Sequence, residues 1–282
     1  MKTDLNTNGE GMGPDKKPYV HGRSERESER LSYQASRLGD LLHDGTNYPP
    51  GSNVLEAACG VGGQTVILAR NSPGALFTSV DISPESLSLA RAAVTSEGHS
   101  NVTFRQADVY DLPFGPGTFD HVFVCFLLEH LPDPLLALGK LKAVIRPGGT
   151  ITVIEGDHGS ALFYPDSADA RAVIRCLVDL QQEMGGNALI GRELSRLMRE
   201  AGFTDVRVSP RPVYADEGSA ESQEAVKNIF IAMVEGVRND ALAHGLADEK
   251  TWEKGIRDLY RTAGPGGSFC YTFFKATGIR KG

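Results

Sequence analysis

The stretch VLEAACGVGGQT, residues 54–65, runs an apolar segment into a glycine-rich turn and places an acid, Glu56, just ahead of it. Gly60 and Gly62 match the first two glycines of a dinucleotide-binding turn, but Thr65 stands at the third position and the extra glycine is displaced to Gly63. A carboxylate at position 56 repels a pyrophosphate and attracts a cationic amine or sulfonium. Two more acids fit the same picture. Asp81 lies 21 positions after Gly60, where a carboxylate can accept hydrogen bonds from both hydroxyls of a ribose. Asp108, in RQADVYDLPF, is placed to accept from an adenine amino group. Each acid alone reads equally well as a turn former. Three acids ending three successive apolar runs mark the edge along which open α/β sheets bind ligands.

A second group lies in VIEGDHGS, residues 153–160, directly after another apolar run. Glu155, Asp157 and His158 are expected at the rim of the site, with His158 as general base and Glu155 orienting it or binding a substrate N–H. A hydrogen-bonded loop without chemistry is the competing reading. Tyr19 and His21, in PYVHGRSE, are candidate lid residues with a catalytic contribution, against the alternative of a disordered tail. His121 and His130 are single imidazoles inside apolar runs and read as structural. Asp133 and Asp157 have turn-residue explanations, so no metal-ligand cluster is expected.

The elements that must position these residues follow from the chain's periodicity. Apolar, β-branched runs at NVLEAA, LFTSVDI, VTFRQAD, FDHVFVCFL and TITVIEG alternate with helical stretches at 63–70, 84–97 and 134–145. Ser83-Pro84-Glu85 is a helix start and RPGG, 146–149, a helix stop. Such alternation predicts a parallel sheet with helices on both faces. Further helices are expected near 166–184 and 191–201, then strands at GFTDVRVSPRPVY and SFCYTFFKATG. The expected organisation is a flexible tail over 1–18, an N-terminal helical lid over 19–50, a core over 51–214, a helical cap insertion over 215–264 and a final core strand over 265–282.

Composition bounds the partners. The chain has 282 residues, 40% of them hydrophobic and 23% charged, and 29 basic against 36 acidic side chains give a net charge of -7. A field of that sign disfavours nucleic acid and anionic lipid. No apolar run reaches the length of a membrane span, and the N-terminus lacks an apolar signal core, so a soluble cytoplasmic protein is expected. Cys59, Cys125, Cys176 and Cys270 are widely spaced and read as reduced, mostly buried thiols.

VLEAACGVGGQT, SVDISPESLSLAR, FRQADVYDLPFGPGTFDHVFVCFLLEHLPDP and LKAVIRPGGTITVIE occur in an order and spacing that resembles the class I S-adenosylmethionine-dependent methyltransferases. The resemblance covers about residues 52–155. It implies a Rossmann-like, doubly wound, seven-stranded α/β sheet, mostly parallel with the last strand antiparallel, and S-adenosylmethionine as cofactor with S-adenosylhomocysteine as product. It implies that Glu56, Gly60 and Gly62, with Ala57 and Gln64 of the same turn, frame the methionine end of that cofactor. Asp81 would hold the ribose, Ile82 would pack on adenine, Asp108 and Val109 would read the adenine edge, and Phe126 and Leu127 would lie beside the sulfonium. CFLLEHL, 125–131, is similar to the small-molecule branch rather than to the enzymes acting on DNA or protein amides.

In this core the last two strands usually form a plain hairpin, so the insertion over 215–264 is expected to roof the acceptor, or to form a homodimer interface. Over its whole length, including EGDHGS and GSFCYTFFKATG, the chain is similar to bacterial indole C3-methyltransferases, which act in secondary metabolism on tryptophan-derived compounds and form pyrroloindolines. That resemblance implies an indole carbon as acceptor. An N-, O- or S-nucleophile of another small metabolite, and a non-catalytic cofactor-binding regulator, are the alternatives.

Overall fold

The structure, a computed structural model, describes residues 25–282. The expected tail over 1–18 and the lid candidates Tyr19 and His21 lie outside the described residues. The chain opens on helix α1 (Glu25–His43). Strands β1 (Asn53–Ala57), β2 (Leu76–Asp81), β3 (Val102–Gln106), β4 (Phe119–Cys125) and β5 (Ile145–Tyr164) then alternate with helices α2 (Gly63–Asn71), α3 (Pro84–Ser96) and α4 (Pro134–Val144). Helices α5 (Ala168–Glu183) and α6 (Leu194–Glu200) precede β6 (Thr204–Asp216). Three short helices, α7 (Ala220–Ala225), α8 (Ala232–Gly236) and α9 (Arg238–Ala243), and the longer α10 (Glu249–Thr262) follow, and β7 (Ser268–Ile279) is the last element.

The seven strands form one sheet in the order β3-β2-β1-β4-β5-β7-β6, with β7 antiparallel to both neighbours and the other pairings parallel. Strand pleating separates two cores. Val54, Phe77, Phe123 and Ile154 join Leu38 and Leu42 of α1 and Leu68 of α2 on one face. Leu55, Val122, Val124 and Val153 pack with Leu138 and Leu141 of α4 and Leu197 and Met198 of α6 on the other. The helix starts read from sequence are capped as their residues dictate. The Ser83 side chain accepts from Ser86 N at 3.1 Å, and Asp133 accepts from Leu136 N at 2.8 Å, each followed by proline in the first turn.

Two features exceed the periodicity. β5 runs twenty residues, continuing past the end of β4 to Tyr164, because β7 pairs with it over most of that length. The helices between β6 and β7 pack with α5. Val173 and Leu177 of α5 share the core with Trp252 and Leu259 of α10, and Gly255 admits the α5 backbone: a Cβ there would lie 2.5 Å from Asp169 O. The segment Val226–Ile231 between α7 and α8 is a π-helical turn that buries Phe230 against Phe269 and Tyr271, at centroid separations of 4.9 Å each. Phe269, Tyr271 and Phe273 occupy alternate positions of β7 and so line one face of the extended sheet.

Candidate active site

The glycine turn between β1 and α2 takes its shape from close approaches on both sides. Gly62 has φ +87°, and a Cβ on it would lie 2.7 Å from the Ala90 Cα of α3. A Cβ on Gly63 would lie 2.9 Å from the Ala35 Cβ of α1. The displaced glycine therefore serves the packing of α1 on α2, a contact that a dinucleotide turn does not need. Gly60, with φ +52°, donates its backbone N–H to Asp81 Oδ2 at 2.9 Å, and Ser83 N donates to Oδ1 at the same distance. Asp81 thus ties the tip of β2 to the turn and still has lone pairs for a ribose.

Glu56 is buried, 2% exposed, and accepts a 2.6 Å hydrogen bond from Ser79 Oγ. Burial, with the nearby Asp81 charge, pushes its pKa up to about 7 despite that bond. A cation docked beside it would restore the ionised form. Ile82 is 42% exposed beside Asp81, an apolar surface open to a flat ring. Asp108 closes its own turn by accepting from Tyr110 N at 2.9 Å, and Val109 is buried behind it. Gln64 points its amide oxygen at His43 Nε2, 2.6 Å away, and burial of His43 lowers its pKa to about 4 and keeps that ring neutral. A cradle without Cβ atoms, an acid poised for a cation and an open apolar face fit an adenosyl sulfonium.

Beyond β4 the chain turns sharply. Phe126 has φ +54°, Phe126 N donates to Ile154 O, and its ring lies 5.3 Å from that of Phe273. Glu155, fully buried on β5, accepts from Leu127 N at 3.0 Å and Leu128 N at 2.7 Å through Oε1. Burial first, then the Glu129 carboxylate, drives its pKa well above the usual carboxylate range. Its Oε2 is buried without a hydrogen-bond partner.

The expected rim location of Glu155, Asp157 and His158 is corrected, because all three are buried, at 0%, 2% and 4% exposure. The continuation of β5 places His158 against Phe230 and Ala188, and Asp157 against Arg192. Asp157 is held at 2.7 and 2.6 Å by Arg192, from the 3-10 turn Ile190–Glu193, and so faces a cation rather than an acceptor. The carboxylate beside His158 is Glu129, not Glu155: Glu129 Oε2 lies 3.3 Å from His158 Nε2. Both imidazole nitrogens of His158 are buried without a hydrogen bond, and its ring faces Phe230 at 6.3 Å. Sequence reading passed over Glu129. The available signal was an acid inside the apolar run CFLLEHL. His121, read as structural, pairs Nδ1 with Thr150 Oγ1 at 2.8 Å, and Asp133 is the cap of α4.

A cleft of about 570 Å³ opens at the other end of the sheet, lined by Tyr48, His121, Thr150, Thr152, Arg207 and Thr277. It lies at the N-terminal ends of the parallel strands, and ligands of open α/β sheets bind at the opposite edge. Among the described residues no group of three or more His, Cys, Asp or Glu side chains is placed to hold a metal, and no helix is long and apolar enough to cross a membrane.

The family model for a methyltransferase domain matches residues 55–153. An uncharacterised methyltransferase of Schizosaccharomyces pombe is 30% identical over 190 residues, 64% of this chain and 67% of that protein. An uncharacterised protein of a Streptomyces fradiae transposon is 31% identical over 215 residues, 75% of this chain. The chain spans 59% of that relative's length. Among solved structures, phosphoethanolamine N-methyltransferase 2 of Haemonchus contortus, with S-adenosylhomocysteine bound, superposes with a TM-score of 0.57 at 16% identity over 92% of this chain and 59% of that one, a likeness of fold. The chain belongs to the class I S-adenosylmethionine-dependent methyltransferases.

Proposed function

We propose that the protein methylates a small aromatic acceptor that carries an N–H, first among them the C3 carbon of an indole in a tryptophan-derived molecule, with ring closure to a pyrroloindoline. The observation that carries this reading is the pairing of an aromatic wall with buried, unpartnered hydrogen-bonding atoms. Phe126, Phe230, Tyr271 and Phe273 supply the wall, and Glu155 Oε2 and His158 Nδ1 supply the atoms. Buried groups of this kind cost free energy until a ligand completes them. An indole offers a flat apolar body for the wall and one N–H for the unpartnered atoms.

In this reading Glu56, Ala57, Gly60, Gly62 and the Gln64 amide nitrogen frame the methionine end of the cofactor. Asp81 holds the ribose, Ile82 covers the adenine, Asp108 and Val109 meet its edge, and Phe126 with Leu127 face the sulfur. When bound, the cofactor supplies an electrophilic methyl on a cationic sulfur. The protein's own residues align the acceptor, exclude water and remove a proton. Glu155, by holding Leu127 N and Leu128 N, sets the turn against which the acceptor rests. His158 takes the N–H proton as the acceptor attacks. The helices between β6 and β7, with α5, form the roof that keeps water out.

The test is calorimetry with S-adenosylmethionine, followed by mass spectrometry for one added methyl on a panel of indoles, phenols, amines and thiols. Methylation of 3-substituted indoles at carbon is the expected result. Methylation confined to phenols, amines or thiols would overturn the indole assignment, and binding without any methylated product would leave a cofactor-binding regulator.

A further inference from the structure

Methyl transfer to a neutral acceptor releases one proton, and a site buried this deeply has to pass that proton outward. We propose that His158, Glu129 and His130 form a relay that carries the acceptor's proton from the buried site to solvent. The inference rests on the methyltransferase reading above and adds two residues that touch no substrate and act through His158.

The geometry is a chain of three groups with rising exposure. His158 Nε2 lies 3.3 Å from Glu129 Oε2, and Glu129 Oε1 lies 3.5 Å from His130 Nε2. Side-chain exposure rises from 5% at His158 through 7% at Glu129 to 17% at His130, so the chain runs from interior to surface. Its members come from two elements that are pinned to each other. His158 N donates to Ala188 O at 2.9 Å. Glu129 O accepts from Asn187 N at 2.8 Å and from Gln181 Nε2 at 2.9 Å. Gly186 admits this contact, since a Cβ there would lie 2.5 Å from Glu129 O. The turn after α5 therefore clamps the 3-10 turn Leu128–His130 beside β5. Catalytic contacts of 3.3–3.5 Å in a ligand-free site commonly tighten once the substrate is bound.

The step balances as follows. The acceptor's electron pair forms the bond to the methyl carbon, and the pair of the breaking C–S bond stays on sulfur. The acceptor's proton goes to the Nδ1 lone pair of His158, whose Nε2 proton passes to Glu129 Oε2. From Glu129 a proton passes to His130 Nε2 and on to water. His158 thereby ends neutral as the Nδ1–H tautomer, and proton exchange of the ring with water after product release restores the Nε2–H tautomer for the next turnover. Among the described residues, the titratable groups that face this chain include Glu155 and Cys125 within the core and the Asp157–Arg192 ion pair next to His158. Gln181 Nε2, 3.5 Å from Glu129 Oε2, is the neutral neighbour.

Two measurements test the relay. The first follows the imidazole nitrogens of His158 and His130 by ¹⁵N NMR across a pH series in the free protein. Glu129 couples the two rings, so Glu129→Gln should shift both titration curves; curves unchanged in that variant would overturn the relay whether or not an acceptor has been found. The second is kinetic, on an acceptor that the wild type is shown to methylate. Glu129→Gln should lower kcat by about tenfold to a hundredfold, the low end of general acid–base effects, with S-adenosylmethionine affinity unchanged. His130→Ala should lose rate in dilute buffer and regain it with added imidazole. A His130→Ala rate indifferent to imidazole, or a Glu129→Gln enzyme with wild-type kcat, rejects the proposal. If the wild type methylates nothing, the functional reading fails, and the NMR experiment alone decides the relay.

Discussion

At the residue scale, the chemistry is governed by how burial changes the charge of single side chains. Glu56 has its pKa near 7 in the fold and near 4.5 in an unfolded chain, so between those values the folded state holds the extra proton. Its contribution is therefore fully present below about pH 4.5 and is lost as pH rises toward 7, a span worth on the order of 3 kcal/mol. A bound cation reverses this preference by favouring the carboxylate. S-adenosylmethionine affinity should accordingly rise from pH 6 to pH 8 in calorimetric titrations, and Glu56→Gln should weaken binding and flatten that dependence. His158 is expected to behave differently. His158→Ala should reduce turnover by about 10²–10⁴-fold while leaving cofactor affinity near wild type, read from kcat alongside calorimetry. Equal losses in both would argue against its role as base.

At the element scale, the site depends on how tightly neighbouring elements approach. Gly62 combines a left-handed backbone with an approach to α3 that no Cβ can enter. Gly62→Ala should destabilise the fold by about 1–3 kcal/mol, as an overpacked contact does, and weaken cofactor binding as the turn opens. Urea unfolding and calorimetry would measure the two effects. Phe230 is the side chain through which the π-helical turn meets β7, fully buried against Phe269 and Tyr271. Phe230→Ala should cost about 3–5 kcal/mol and raise the acceptor KM with little change in cofactor affinity, since the cavity opens on the roof rather than on the glycine turn. Unusual turns of this type often sit at functional sites, and here the turn carries the aromatic ring of Phe230 that meets His158.

At the scale of the whole molecule, contacts between distant parts of the chain fix the last strand. Lys275, 5% exposed on β7, donates to Asp44 O at 2.7 Å and to Thr46 Oγ1, fastening the last strand to the loop after α1. Burial lowers its pKa from 10.5 to about 8. Between those values the unfolded chain binds the extra proton, so the stability cost of burying this lysine fades as pH rises through that window. Lys275→Met should lose about 1–3 kcal/mol at neutral pH, because two acceptors are left unpaired, and should lack the gain between pH 8 and pH 10. Thermal unfolding of both proteins across that range checks the prediction.

The sheet, its helices and the row of acids at its edge were legible in the residue order, because each depends on local patterns. Alternating apolar residues specify strands, and Ser83-Pro84 and RPGG delimit helices. The glycine turn was readable for the same reason, down to its mismatch with a dinucleotide site. The partners of the second cluster were not. Asp157 belongs to Arg192, 35 residues on, and His158 to Glu129, 29 residues back on another element. Which carboxylate meets which nitrogen is decided by side-chain direction on a strand whose length is itself set by pairing with β7. The enclosure of Glu155 and His158 likewise came from tertiary packing, since the helices that cover β5 adjoin it only once the chain has folded back.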